Sequence, residues 1–116
     1  MAKFMFLLRS TPGAQQPRSA EQMEQSMKKY MAWKERLEQG GHLIDFGAPL
    51  AGSGKVLREQ GKVVSDGPYV EVKDCIQGYM FIEADDLEQA AALAVEGPIL
   101  EGGGTLEIRP VVSMRG

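Results

Sequence analysis

The sequence predicts an α+β domain in which two β-α-β units contribute strands to a single sheet. Two observations support this prediction: short strand-like segments alternate with two stretches of helical periodicity, and a capping signature precedes each helix. A short hairpin pattern lies between the two units. The chain has 116 residues, a length typical of one domain, so we treat 1–116 as a single folding unit.

The first unit consists of a strand over 3–9, a long helix from Ser19, and a strand over 42–46. The first strand is apolar from Phe4 to Leu8 without alternation, which suits a strand that is covered on both faces. Ser19 and Gln22 have the spacing of a capping box, and Gly41 predicts the helix end.

One stripe of the long helix has the spacing of a buried face. It consists of Met23, Met27, Tyr30, Met31, Lys34 and Leu37. The three methionines could line a soft ligand pocket, because methionine adapts its shape. Packing in the core is the interpretation we favour.

The second unit follows a predicted hairpin, Lys55 to Glu59 and Lys62 to Ser65, around Gln60-Gly61. It consists of a strand over 77–83, a helix over 87–95 that Asp85 is predicted to cap, and a strand over 105–112. Two such units on one sheet give the split arrangement of a ferredoxin-like fold.

Alternation along the strands predicts an apolar surface on both sides of the sheet. If Phe4, Phe6 and Leu8 face the helices, Met5 and Leu7 face the other way. On the second strand, Ile44 and Phe46 should then pack against the helices. A second apolar face needs a second cover, and the simplest is another copy around a two-fold axis. We therefore expect a homodimer.

Composition narrows the function classes. Net charge is −3, so the chain lacks the basic patch expected of a nucleic-acid-binding protein. Apolar runs are too short for a membrane span or a signal-peptide core, and the single cysteine agrees with a reducing compartment; we expect a cytoplasmic protein. One histidine and one cysteine supply too few ligands for a typical metal site, and we expect neither a metal nor another cofactor.

One turn motif is the most distinctive stretch of the chain, and it carries a family resemblance. The resembling residues are Asp66-Gly67-Pro68-Tyr69, Glu71, Lys73, Gly78-Tyr79, Ile82-Glu83-Ala84-Asp85, Gly41-His42-Leu43 and Gly102 to Pro110. With the opening strand, they cover almost the whole chain. The sequence resembles the YCII-related family, in its DGPF-motif branch, with Tyr69 in place of the phenylalanine. The resemblance implies a ferredoxin-like fold that pairs into a dimeric α/β barrel.

Three residues are candidates for catalysis. His42 could act as a general base, but Asp45 should point to the opposite face of its strand. The family resemblance implies an acid/base pair of a helix histidine and a loop aspartate in some members. Tyr30 stands at the histidine position here, and the loop after Leu50 has no aspartate. Asp66 is a candidate through the motif, although turn formation alone explains an aspartate there.

Four charged residues should gather on the helix-free side of the sheet. They are Arg9, Asp45, Glu107 and Arg109. We predict that they form ion pairs that join the two copies of the dimer, since charges of both signs occur in equal number. The alternative is that an arginine awaits a carboxylate or phosphate ligand. Tyr69 is a further candidate for the mouth of a pocket, although a turn that closes the strand ends is the interpretation we favour for this motif.

The functional hypothesis is a dimeric protein that binds a small organic molecule in a cleft between sheet and helix. It could be an altered lyase- or hydrolase-type enzyme without the His-Asp pair, and enzymatic activity is left open. The alternative is a non-catalytic binding or regulatory module, which the family resemblance links to transcription. A purely structural role through dimerisation is a third hypothesis.

Overall fold

The structure is a computed structural model, and it describes residues 1–11, 19–67 and 75–114. Its elements are β1 (Ala2–Ser10), α1 (Ala20–Gln39), β2 (Leu43–Pro49), β3 (Gly54–Arg58), β4 (Val63–Gly67), β5 (Cys75–Ala84), α2 (Leu87–Ala94) and β6 (Thr105–Pro110). Two single 3₁₀ turns are also present, Glu59–Gly61 between β3 and β4 and Pro98–Leu100 between α2 and β6. The predicted order of elements is confirmed, and β5 begins two residues earlier than predicted.

Four strands form an antiparallel sheet in the order β2-β5-β1-β6. The central strands β1 and β5 therefore come from different β-α-β units. This order and the two helices confirm the α+β class and are consistent with a ferredoxin-like fold. Strands β3 and β4 form a separate hairpin, as predicted, whose turn uses left-handed backbone at Glu59, Gln60 and Gly61.

The core lies between the sheet and the two helices. Its fully buried centre is Trp33 of α1, whose ring stacks on Phe6 with centroids 6.2 Å apart and planes 7° apart. The Trp33 indole N–H donates to the backbone carbonyl of Leu93 at 3.0 Å, which satisfies the one polar atom of the side chain. Phe4, Phe6 and Leu8 are buried here, so the condition on which the assignment of strand sides depended is met.

Both ends of α1 are closed as predicted. The Ser19 hydroxyl accepts from the Gln22 backbone N–H at 3.1 Å, and the Gln22 amide oxygen accepts from the Ser19 N–H at 3.0 Å. At the other end Gly41 has φ +76°, and the His42 N–H donates to the Leu37 carbonyl at 2.9 Å. This Schellman-type ending directs the chain from α1 into β2.

The predicted cap of α2 is wrong by one residue. Asp86 is the N-cap, and its carboxylate accepts from the Gln89 N–H at 2.8 Å. The Gln89 side chain accepts in turn from the Asp85 N–H at 2.6 Å. Two adjacent aspartates made either assignment possible, and the position of Gln89 at the third helical residue selects Asp86.

The methionine stripe of α1 is the largest departure from the sequence prediction. Met23, Met27 and Met31 are 61%, 63% and 47% exposed, so their assignment to the core is wrong. Leu37 of the predicted stripe is buried and Tyr30 packs against the core, as predicted, but the buried face turns towards Trp33 and away from the methionines. The methionines and the residues Tyr30, Trp33 and Leu37 all have helical spacing, and only one of these two sides of the helix can face the sheet. The stripe with the larger aromatic surface gains more from burial.

A bulge in β2 overturns the prediction for Ile44. The pairing with β5 shifts between Leu43 and Asp45, so Leu43 packs against the core and Ile44 is exposed. Phe46 packs against the core as predicted. Gly47 follows with φ +67°, which a side chain rarely adopts. Sequence alternation alone does not show an extra residue in a strand.

Candidate ligand site on the open face of the sheet

The helix-free side of the sheet carries an apolar centre beside a charged cluster. We call this surface the open face; it consists of Met5, Leu7, Arg9, Tyr79, Phe81, Glu107 and Arg109. In register, Met5 lies between Phe81 and Arg109, and Leu7 lies between Tyr79 and Glu107. The apolar side chains of the two central strands are thus adjacent, and the charged ones follow on β6.

The apolar centre of the open face is partly aromatic. The rings of Tyr79 and Phe81 are 6.3 Å apart in an edge-to-face arrangement at 68°. Lys3 lies at one end, with Nζ 4.6 Å from the centroid of the Phe81 ring, a distance for cation–π attraction. Met5, Leu7 and the two rings are only half-buried in the single chain. They form a surface that a further molecule could cover.

The charged cluster has Glu107 at its centre. Arg9 Nη1 donates to Glu107 Oε1 at 2.5 Å, and Arg109 Nη1 lies 3.3 Å from Glu107 Oε2. The hydrogen bond from Arg9 is the main reason that the pKa of the Glu107 carboxyl lies below its usual value; the hydrogen bond from Arg109 and the two nearby positive charges act in the same direction, and desolvation opposes them. Arg9, Glu107 and Arg109 thus pair within one chain, and pairing between two copies stays a prediction.

Asp45 is on the open face but apart from the cluster. Asp45 pairs with Phe81, Phe81 pairs with Met5, and Met5 pairs with Arg109 on neighbouring strands. Asp45 and Arg109 are therefore three strand spacings apart, about 14 Å. Its carboxylate accepts from the Gly47 N–H at 2.8 Å and so braces the bend of β2. Asp45 thus lies on the predicted side of the sheet, but it cannot pair with Arg9 or Arg109 of its own chain, because β2 and β6 are the opposite edges of the sheet.

His42 is held by backbone groups. Its Nδ1 lies 2.9 Å from the carbonyl oxygen of Glu83, and its own carbonyl accepts from the Glu83 N–H at 2.8 Å. Both contacts tie the end of α1 to β5. The ring is thus oriented by a carbonyl, whereas a general base of the usual kind is oriented by a carboxylate.

The remaining candidates are spread over the molecule. Tyr30 is half-buried beside the core, with its ring centroid 6.5 Å from that of Trp33. Asp66 lies in β4 opposite Lys55, and its side chain is outside the described part of the structure. Tyr69 is outside the described residues altogether. Tyr30 belongs to α1 on the helix side of the sheet, and Arg9 and Arg109 lie on the other side, so the described candidates do not form one catalytic centre.

A comparison with known families identifies the chain. The model of the YCII-related domain matches residues 2–115. The chain belongs to the YCII-related family. No curated protein shows significant sequence similarity to it.

Within residues 1–11, 19–67 and 75–114 of this YCII-related protein, no three His, Cys, Asp or Glu side chains are grouped so that they could hold a metal ion. Cys75 is half-buried, with Sγ 3.0 Å from the Gln77 amide nitrogen. Over the same residues, neither helix is long and apolar enough to cross a membrane.

Sequence reasoning did not single out Lys3, Tyr79 and Phe81 as site residues. Alternation along the strands did hold this information. Lys3 is two residues from Met5 and four from Leu7, so all three lie on one side of the sheet, and Tyr79 shares a side with Phe81 for the same reason. What the sequence does not show is the pairing between β1 and β5. That pairing places Phe81 beside Met5 and brings Lys3 within reach of its ring.

Proposed function

We propose that this YCII-related protein is a homodimeric, non-catalytic binding module for a small organic anion. The two open faces would meet around a two-fold axis, in the manner of a dimeric α/β barrel. The ligand would lie between them, with its apolar part on Met5 and Phe81 and its anionic group at Arg109. The observation that supports this most is the half-buried apolar centre directly beside an arginine.

Dimerisation follows from the cost of leaving the apolar centre in water. A sheet covered on one face only usually carries polar residues on the other. Here the two central strands present Met5, Leu7, Tyr79 and Phe81, all on one surface. A second copy covers this surface with the same apolar residues, and the contact closes upon itself.

Arg109 is the arginine we assign to the ligand. Its side chain is 66% exposed, and its contact with Glu107 is longer than that of Arg9. Arg9 holds the other oxygen of the same carboxylate, so Glu107 positions both guanidinium groups. A planar guanidinium matches the geometry of a carboxylate or phosphate. Arg9 completes the site from the adjacent strand, and Asp45 on β2 is a further lining residue in this proposal.

We favour binding over catalysis because of the positions of the candidate acids and bases. His42 is oriented by a backbone carbonyl, and Tyr30 belongs to the margin of the core. The space between sheet and helix, where a cleft was expected, is occupied by Trp33, Phe6 and Leu37, which are almost completely buried. The open face therefore replaces that cleft as the ligand site.

The proposal is tested by calorimetric titration with small anions that differ in their apolar part: acetate, hexanoate, benzoate and phenyl phosphate. We expect benzoate or phenyl phosphate to bind more tightly than acetate. Arg109→Met should weaken that binding at least about tenfold, the loss of one charge-assisted contact. Arg36→Met is the matched control, since Arg36 contacts Glu96 on the helix side. Equal effects of the two substitutions, or no preference among the anions, would refute the assignment.

A further inference from the structure

The charged cluster of the open face carries one positive charge in excess. Arg9 Nη1 contacts Glu107 Oε1 at 2.5 Å, and Arg109 Nη1 contacts Glu107 Oε2 at 3.3 Å. Two guanidinium groups and one carboxylate thus act as a unit with a net charge of +1. This balance limits the charge of a ligand that the cluster can accept.

The remaining charges on this side of the sheet do not alter the balance. Lys3 and Glu83 are register partners on β1 and β5, and alternation assigns both to the open face, so their opposite charges are adjacent. Asp45 lies on the opposite edge strand, about 14 Å from Arg109. A ligand at Arg109 therefore meets chiefly the net charge of the cluster.

The cluster offers a ligand one edge of a guanidinium group. The Arg109 side chain is 66% exposed, and Glu107 engages its Nη1. Within residues 1–11, 19–67 and 75–114, Glu107 is the ion-pair partner of Arg109, so the edge formed by Nη2 and Nε is left for a ligand. The two oxygens of a carboxylate fit such an edge with two parallel hydrogen bonds.

Glu107 limits the ligand from the other side of this guanidinium. The hydrogen bond from Arg9 is the main reason that the pKa of the Glu107 carboxyl lies below its usual value, so this carboxyl is ionised at neutral pH. An ionised carboxylate can only accept hydrogen bonds. A third ligand oxygen turned towards Glu107 would find neither a donor nor a positive charge on it. A phosphate monoester has a third oxygen of this kind, and a carboxylate does not.

Burial between two open faces makes the charge balance decisive. A monoanion brings the cluster to neutrality, whereas a dianion leaves one negative charge in excess. An uncompensated charge that is withdrawn from water is costly. This step rests on the proposed function, because only a site that a second copy covers imposes that cost.

We infer that the open face selects monoanionic carboxylates with an apolar or aromatic body and discriminates against phosphate monoester dianions, and that Glu107 determines this selectivity. Arg109 binds the carboxylate, while Met5 and Phe81 contact the body of the ligand. Glu107 acts through its charge and through its hold on the two arginines.

Calorimetric titration with three ligands that share a phenyl group tests the inference: benzoate, methyl phenyl phosphate and phenyl phosphate. At about pH 8 the first two are monoanions and phenyl phosphate is a dianion, because its second ionisation is complete. We expect wild type to bind phenyl phosphate at least about tenfold more weakly than benzoate. Methyl phenyl phosphate should also bind more tightly than phenyl phosphate, since it lacks the second charge. A dianion that binds as tightly as benzoate would overturn the inference.

Glu107→Gln tests the assigned residue. The amide keeps an oxygen that accepts from the arginines, but the negative charge is gone. The ratio of the affinities for phenyl phosphate and benzoate should rise at least about tenfold. A general loosening of the site would weaken both ligands and leave this ratio unchanged. Glu96→Gln is the matched control, because it removes the same charge from a contact with Arg36 on the helix side. An unchanged ratio in Glu107→Gln would contradict the inference.

The titrations also separate this inference from the proposed function. If benzoate binds more tightly than acetate but no more tightly than phenyl phosphate, the selectivity is refuted and the ligand site of the proposed function stands. If neither benzoate nor phenyl phosphate binds more tightly than acetate, the proposed function fails, and the inference fails with it.

Discussion

The two faces of the four-stranded sheet are both apolar at their centre, yet only one of them is buried within the chain. On the helix side, Phe6 and Ile82 are completely buried beneath α1 and α2. On the open face, Met5 and Phe81 come from the same two strands and remain half-buried. The difference shows that strand composition alone does not define a core. A strand side becomes core when a helix of the same chain is available to cover it.

The two faces also differ in how they treat polar groups. The helix side has no buried charged residue among those described, and the single Trp33 N–H finds a carbonyl. The open face holds an arginine–glutamate–arginine cluster at the margin of its apolar centre. Charges remain there because they pair and because they keep contact with solvent. We therefore expect substitutions on the helix side to lower the free energy of unfolding at any protein concentration, and substitutions on the open face to act mainly through association.

The largest effect should come from the centre of the covered face. Trp33→Ala removes the ring that stacks on Phe6 and leaves the Leu93 carbonyl without its donor. We expect the free energy of unfolding to fall by about 3–5 kcal/mol, as for other buried aromatic residues. Urea denaturation followed by circular dichroism measures it. A loss below about 1 kcal/mol would show that α1 contributes little to the core.

Neighbouring residues of β5 compare the two faces within one strand. Met80 is buried on the helix side and Phe81 lies on the open face. Met80→Ala should lower the unfolding free energy by about 2–5 kcal/mol at every protein concentration. Phe81→Ala should lower it mainly where the protein is dimeric, because its apolar surface is covered only there. Denaturation at two concentrations distinguishes them, and the same concentration dependence for both variants would contradict the division of the faces.

The N-terminal cap of α1 should have a smaller effect. Ser19→Ala removes the acceptor for the Gln22 N–H, and we expect a loss of about 1 kcal/mol. Ser19→Asp is the control that keeps an acceptor and adds a favourable charge at the helix start. If Ser19→Asp is as destabilised as Ser19→Ala in thermal unfolding, the capping box does not stabilise this helix.

The smallest effect we predict is a change in acid sensitivity. Because Arg9 and Arg109 lower the pKa of Glu107 in the folded state, the ionised carboxylate stabilises the fold at pH values above its unfolded pKa of about 4.3. This contribution is lost as the pH falls through the lowered folded pKa. Glu107→Gln should therefore reduce the slope of stability against pH below that value. Identical slopes in wild type and variant would show that the cluster does not hold the carboxylate ionised.

Element order, the β3–β4 hairpin and the set of β1 residues that share a side were predictable, because each depends on short-range patterns such as the Ser19–Gln22 spacing. The predictions that were wrong, for the methionines of α1 and for Ile44, have a common cause. Met23, Met27 and Met31 have the same spacing as the true core stripe, and Ile44 has the parity of a buried residue. In each case two local patterns were equivalent and a tertiary contact decided between them. For the helix it is the stacking of Trp33 on Phe6, and for the strand it is the bulge in β2.

The candidate site was predictable in part for the same reason. Alternation assigned Arg9, Glu107 and Arg109 to one surface, and the structure joins them through Glu107. Strand order, which a single sequence does not state, separates Asp45 from them by the width of the sheet.

The most direct test of the open face is the molecular mass in sedimentation equilibrium at micromolar concentration, for wild type and for Phe81→Lys. A second copy on the open face predicts twice 12.7 kDa for wild type. Phe81→Lys should give 12.7 kDa, because an ammonium group would replace the aromatic ring at the centre of the interface. A wild-type mass of 12.7 kDa, or a Phe81→Lys protein that stays at twice that mass, would contradict the proposal.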